Sequence, residues 1–327
     1  MAIKLNTKDH RIIYELDLDS RQSLSRIAKN TSLSEQVVSY RLKNIMKNKV
    51  INTFPSIMDF SKLGYSLHKC CYKLKNLTSN KRTRIIEYLT KHNNAVWVSS
   101  SDGRFELSAA FIGKTLIEIS NYVNDFNDLF SENISEQKIV NILKGEHFPR
   151  DYLVKKENRK SRKPIVFGSI PEIAKIDETD LKIVSELAEN ARIPNIDIAK
   201  KCSISQDNVA FRIQKLKKNG IIQNNIVILN AASIGMIHHK VMVALRNTGD
   251  IKQKALQDYC RNHPNITFMN RTLGDWNMEI DFEVSDNNQF REYLMDINNK
   301  FSGLIKDYSI ITIYDIHKYN FFPIKSF

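Results

Sequence analysis

The chain is poor in the features that usually announce enzyme or metal chemistry. Its 327 residues hold four cysteines, Cys70, Cys71, Cys202 and Cys260, and no Cys-x-x-Cys. Adjacent Cys70 and Cys71 would face opposite sides of a strand. That argues against a disulfide framework and against a zinc site. There is no phosphate loop, no zinc-ligand spacing, no nucleophile elbow and no pair of catalytic carboxylates. The expectation from these absences is a protein that is not an enzyme, with no catalytic residue, no metal and no cofactor. No run of about 18 apolar residues is present, which argues against a membrane-spanning helix. The opening stretch MAIKLNTKDHRIIYEL is charged and has no apolar signal core, so a cytoplasmic chain is expected.

Positive charge, by contrast, is abundant. The net charge is +13, unevenly spread. Residues 1–150 hold 23 Lys+Arg against 15 Asp+Glu, residues 151–175 hold 7 against 3, and residues 176–327 hold 19 against 18. Such a balance favours polyanionic partners, double-stranded DNA among them, although a merely solvated surface gives the same total. Local placement has to decide.

The placement comes twice. Residues 33–51, LSEQVVSYRLKNIMKNKVI, match residues 204–222, ISQDNVAFRIQKLKKNGII, at an offset of 171. The register extends outward: Asp9 falls on Asp180, Arg21 on Arg192, Gly64 on Gly235, Lys69 on Lys240, Gly103 on Gly274 and Ile139 on Ile310. The chain is therefore two copies of a unit of about 150 residues. The stretch between them, residues 151–175, has two prolines, a glycine and the run KKENRKSRK, and reads as an exposed, flexible, basic linker.

Each unit begins with three short helical segments. Ile12, Ile13 and Leu16 share a face, Leu24, Ile27 and Ala28 repeat at helical spacing, and Ser34 is an N-cap before a stripe of Val38, Leu42 and Ile45. Unit two repeats the stripe as Val209, Ile213 and Leu216, with Gly220 placed to end the helix in a left-handed turn. Two short helices with a tight turn, the second capped and basic, describe a helix-turn-helix, and the β-prone residues after it suit a wing. A second helix entering a major groove meets base edges with its outward N-terminal residues. These are Ser34, Gln36, Ser39, Tyr40 and Lys43 in unit one, with Arg41 and Lys47 adding positive charge. In unit two they are Ser205, Gln206, Asn208, Phe211 and Lys215, with Arg212. Gln36, Gln206 and Asn208 suit bidentate pairing with adenine. Tyr40 and Phe211 suit a thymine methyl or the preceding helix. Arg41 and Arg212 suit a phosphate or a local carboxylate as well as a base.

The second part of each unit reads β-α-β-β-α-β, from HKCCYKLK to ISEQKIVNIL and from HKVMVALR to DYSIITIYDI. That order gives an α+β, ferredoxin-like sandwich. One sheet face would lie open, which suggests sheet-to-sheet association within the chain or between chains, and hence a homo-oligomer. The expected organisation is a winged helix-turn-helix at 1–55, a ferredoxin-like domain at 56–150, the linker at 151–175, a second winged helix-turn-helix at 176–226 and a second ferredoxin-like domain at 227–327.

This order resembles the Lrp/AsnC family of transcriptional regulators, over about nine tenths of the chain. The two capped helices carry the family's Leu-Ser to Gly-hydrophobic-Ile pattern. DFSKLG and NAASIG resemble its entry to the second domain, and SSSDGRFE and NRTLGDWN resemble its glycine turn. The resemblance implies a first domain that binds DNA. It implies a second that dimerises and often binds an amino acid or other small metabolite, through Gly103 and Glu106 in unit one and Gly274 and Asn277 in unit two. Glu106 and Asn277 stand where the family commonly has Asp. Gly103 and Gly274 also serve as turn residues.

The expected function is a sequence-specific DNA-binding transcriptional regulator, nucleoid-associated. One alternative is an architectural, weakly specific DNA binder. Another is an enzyme on the same architecture, of the sirohaem decarboxylase kind, for which His238, His239 and Arg271 would be the candidate residues.

Overall fold

In a computed structural model of the chain, residues 3–168, 173–246 and 250–324 are described. Unit one opens with α1 (Thr7–Leu18), α2 (Leu24–Thr31) and α3 (Glu35–Lys47). Asn6 caps α1 in a capping box with Asp9, and Ser34 caps α3 by accepting the Val37 N–H. Ile12, Ile13, Leu16, Ile27, Val38 and Ile45 close a small core. Then come β1 (Ile51–Thr53), β2 (Ser56–Met58), β3 (Ser66–Leu74), α4 (Ser79–Lys91), β4 (Ala95–Gly103), β5 (Leu107–Gly113), α5 (Leu116–Phe130) and β6 (Ile134–His147).

A connector strand β7 (Ile165–Phe167) leads to unit two. It comprises α6 (Glu178–Glu189), α7 (Asn195–Cys202), α8 (Gln206–Lys218), β8 (Ile222–Asn225), β9 (Ile228–Leu229), β10 (Ile237–Leu245), α9 (Asp250–Asn262), β11 (Ile266–Leu273), β12 (Met278–Val284), α10 (Asn287–Phe301) and β13 (Ile305–Tyr319). Gly220 does end α8 in the left-handed region, at φ 68°. Lys49 takes the same conformation in unit one, at φ 53°, without glycine's freedom.

The expected wings take a different form. β1 does not fold back on β2. It pairs with β9, and β2 pairs with β8, so each ribbon is shared between the units. The sequence between the strands explains this. Phe54-Pro55 and Ile226-Val227 contain no glycine, Asn-Gly or Asp-Gly of the kind a two-residue hairpin loop needs, and the residue before a proline favours extended backbone.

The ferredoxin-like sheets also close on each other. The strand order β11-β12-β10-β13-β4-β5-β3-β6 returns from β6 to β11, giving an eight-strand barrel with β7 added beside β6. Two equivalent seams join the units, β13 to β4 and β6 to β11. The open faces expected from the sequence are thus covered within one chain, and barrel closure leaves those strands without free edges. Cys70 packs toward the helices and Cys71 into the barrel, as strand alternation requires.

The connector is held rather than free. Arg150, just before it, is buried and donates to Asp17 at 2.6 Å and Glu283 at 2.9 Å. Leu153 and Val154 enter the core of the first helix-turn-helix. Arg162 donates to the carbonyls of Pro149, Arg261 and His263. Composition marks such a stretch as soluble but does not reveal these partners. Its residues 169–172 lie outside the described residues.

Candidate nucleic-acid interface and barrel interior

The outward face of α3 follows from its cap and stripe. With Val38 and Ile45 buried, Ser34, Gln36, Tyr40, Lys43 and Lys47 are exposed and Ser39 is half-buried. On α8, burial of Val209, Ile213 and Leu216 leaves Ser205, Gln206, Asn208, Phe211 and Lys215 exposed. Tyr40 is 68% and Phe211 66% exposed, so neither ring is spent on packing against the preceding helix. Rings that large on a soluble surface suit a contact surface.

Arg41 and Arg212 are engaged inside their own domains. Arg41 pairs with Asp9 at 2.9 Å, and Arg212 with Asp177 and Asp180 at 2.7 Å each. Both therefore tie the second helix of the motif to the capped start of the domain. Arg212 also donates to the Asn208 side chain at 2.9 Å, which occupies one acceptor that adenine pairing would use.

The two helix-turn-helix domains touch through a reciprocal clasp. Arg21 donates to the carbonyls of Ala191 and Ile193, and Arg192 donates to those of Ser20 and Gln22. At the offset of 171 these are the same contacts, read in both directions. The sequence showed both arginines only as positive charge and as a matched pair. Nothing in their spacing signals a carbonyl partner in the other unit.

The glycine turns sit at the barrel seams. Gly103 has φ 119°, and a Cβ there would lie 2.6 Å from the Ile310 carbonyl oxygen. Gly274 has φ 149°, and a Cβ there would lie 2.8 Å from Val140 and 3.2 Å from the Ile139 carbonyl oxygen. Glu106 accepts the Leu74 N–H at 2.6 Å, and Asn277 accepts the equivalent Leu245 N–H at 2.7 Å. These four residues are thus engaged in closing the barrel and holding strand ends.

A charge cluster fills part of the barrel interior. On β12, Met278, Ile280, Phe282 and Val284 face the helices, while Glu279, Asp281 and Glu283 face inward. Lys69 pairs with Glu279, and Lys240 with Asp281 at 2.5 Å and Glu279 at 3.5 Å. His238 meets Asp281 at 2.7 Å. Trp276 and Asn270 also donate to Glu279. Burial alone would raise the Asp281 carboxyl, but Lys240, His238 and Lys69 hold it well below the usual carboxylate range. Burial lowers the Lys69 ammonium and raises the Cys71 thiol to about 11. No local sequence motif singles out this cluster. Its signal was the strict alternation of MEIDFEV, a pattern that ordinarily marks a solvated face. Of the residues considered for catalysis, His238 joins the cluster. His239 faces the other way, stacked on Phe290, and Arg271 is exposed.

Two helix-turn-helix domains joined to one closed barrel of two βαββαβ halves define the class of architecture. The winged helix-turn-helix DNA-binding family matches residues 5–52 and again 176–223. The HTH-type transcriptional regulator LysM of Saccharolobus solfataricus is 30% identical over 107 residues, which is 33% of this chain and 72% of LysM. The proline dehydrogenase transcriptional activator of Rhodobacter capsulatus is 37% identical over 84 residues, 26% of this chain and 53% of that protein. The chain thus spans about half the length of that relative. The chain belongs to the Lrp/AsnC family of transcriptional regulators, in a tandem-duplicated form.

One further likeness corrects an expectation. The siroheme decarboxylase NirDL shares the fold over 96% of this chain and 93% of its own, at TM-score 0.59 and 11% identity. The inference from missing motifs that the chain is not an enzyme does not stand. The whole tandem architecture is also that of an enzyme, and here the barrel buries ionisable groups that no short motif announces.

Proposed function

We propose that this chain is a sequence-specific transcriptional regulator that reads DNA as a single-chain pseudo-dimer. The observation that carries the reading is the pair of capped helices, α3 and α8, each presenting exposed polar, basic and aromatic residues. The Arg21/Arg192 clasp holds the two domains together. Gln36 and Gln206 are the base readers, Tyr40 and Phe211 contact thymine methyls, and Lys43, Lys47 and Lys215 meet phosphate or guanine. Arg41 and Arg212 position the helices through their carboxylate partners.

The test is duplex binding measured against salt concentration for the full chain and for Lys43→Ala with Lys215→Ala. Two lost phosphate contacts weaken binding and flatten the log–log salt slope by about 2. An unchanged affinity and slope would remove both lysines from the interface.

A further inference from the structure

An open cleft of about 370 Å³ separates the two helix-turn-helix domains. Both units line it, with Arg21, Gln22 and Ser23 on one side and Arg192, Asn195 and Gln206 on the other. Gln206 is the first residue of α8, so the cleft opens beside a recognition helix.

The clasp that spans this cleft leaves donors unused. Nη1 of Arg21 donates to the Ala191 and Ile193 carbonyls, and Nη2 donates to the Asn195 side chain at 2.5 Å. Nη1 of Arg192 donates to the Ser20 and Gln22 carbonyls. Among the described residues, nothing accepts from Nε or Nη2 of Arg192, or from Nε of Arg21. Phe54 lies 5.7 Å from the Arg192 guanidinium, an apolar support rather than an acceptor. The free Nε–Nη2 edge is a fork that matches a phosphate in two parallel bonds.

Charge is unused as well. Arg41, Arg150 and Arg212 each hold a carboxylate at 2.6–2.9 Å. Among the described residues no carboxylate forms an ion pair with Arg21 or Arg192. Asp19 attracts both, but its Oδ1 already accepts from Asn225 and from the Arg21 backbone N–H. Burial, and then the neighbouring Arg192, pull the Arg21 guanidinium below its usual value, and burial does the same to Arg192. An anion in the cleft offsets both costs.

We propose that this cleft seats the DNA backbone between the two half-sites, with one phosphate on the Nε–Nη2 edge of Arg192 and one on the free N–H groups of Arg21. The carbonyl partners hold each Nη1 end in place, so neither side chain is free to extend to a base edge. A phosphate stands out from the duplex and comes to them. Contacts of this kind fix register without reading sequence, so the clasp sets where α3 and α8 fall on the duplex. The inference rests on the regulator reading.

The test is the salt dependence of binding to a duplex selected by the full chain. Two double variants separate charge from clasp. Arg21→Gln with Arg192→Gln removes both charges. Arg21→Lys with Arg192→Lys keeps them but loses the fork that grips the carbonyls. The glutamine pair should flatten the log–log salt slope by about 1.8, while the lysine pair keeps the slope of the unaltered chain. A glutamine pair with an unchanged slope would overturn the site. So would a lysine pair that flattens it equally, since the loss would then come from the broken clasp. Should the variants not fold, the unaltered chain is measured on duplexes with neutral methylphosphonates. Placed between the half-sites, they should weaken binding about tenfold or more, and placed beyond both half-sites they should not. Equal effects at both places would overturn the site too. Absence of duplex binding by the unaltered chain would instead sink the regulator reading, and the site with it.

Discussion

The two units share a fold and a register but differ where they meet. Unit two carries Glu279, Asp281 and Glu283 on the barrel face of β12. The equivalent strand of unit one, β5, carries Ser108, Ala110 and Ile112. Yet both units keep the buried lysine, Lys69 and Lys240. A homodimer of unit one would bury two lysines with no carboxylate on those strands. A homodimer of unit two would crowd carboxylates around them. Only the unlike pairing balances the charge. Covalent duplication therefore does more than join two readers, because it allows the two halves of one barrel to become different.

The largest effect should come from breaking that balance. Glu279→Ala leaves Lys69 buried and without its carboxylate, at a cost of about 3–5 kcal/mol. Lys69→Met with Glu279→Leu removes both charges and recovers most of the loss. Urea unfolding of the three proteins checks this, and equal stability of single and double variants would show that the pair is not coupled.

His263, just after α9, packs against Phe282 and Tyr293, and His147 lies against Phe268 at the β6–β11 seam. Burial and the nearby Arg162 push the His263 imidazole down to about 4. Burial, Arg150 and Arg162 hold His147 well below its ordinary value too. Both are neutral in the fold. Between pH 6.5 and about 4 the unfolded chain binds these protons and the folded chain does not. Stability should therefore fall as pH drops through that window. His263→Gln should flatten the fall, measured as the urea midpoint against pH.

The recognition helices offer a third contrast. Asn208 is engaged by Arg212, while unit one has Arg41 without such a neighbour on its own helix. Phe211→Ala and Tyr40→Ala should each weaken binding to a selected duplex by about 1–3 kcal/mol, measured by anisotropy. The smallest effect concerns helix ends. Lys49→Gly should stabilise by about 1 kcal/mol, since the left-handed conformation there penalises a Cβ, and Gly220→Ala should cost a similar amount.

Much of this architecture was legible in the sequence. The offset of 171 disclosed the duplication, and the caps at Ser34 and Ser205 located both recognition helices. Periodicity distinguished helices from strands because each element buries one face. What local pattern could not disclose was pairing across units: the exchanged strands β1–β9 and β2–β8, the Arg21/Arg192 clasp, and the docking of Arg150 and Arg162. Those contacts join residues far apart in the chain, and their groups look solvated in isolation. The same holds for Glu279 and Asp281, whose alternation is that of a surface strand until the barrel closes over it.

The most direct test of the central claim is selection of bound sequences from a random duplex pool, at physiological salt, by the full chain. A pseudo-dimer with two working readers should enrich two half-sites about one helical turn apart, or a whole multiple of it. Enrichment of a single half-site, or none at all, would contradict the account.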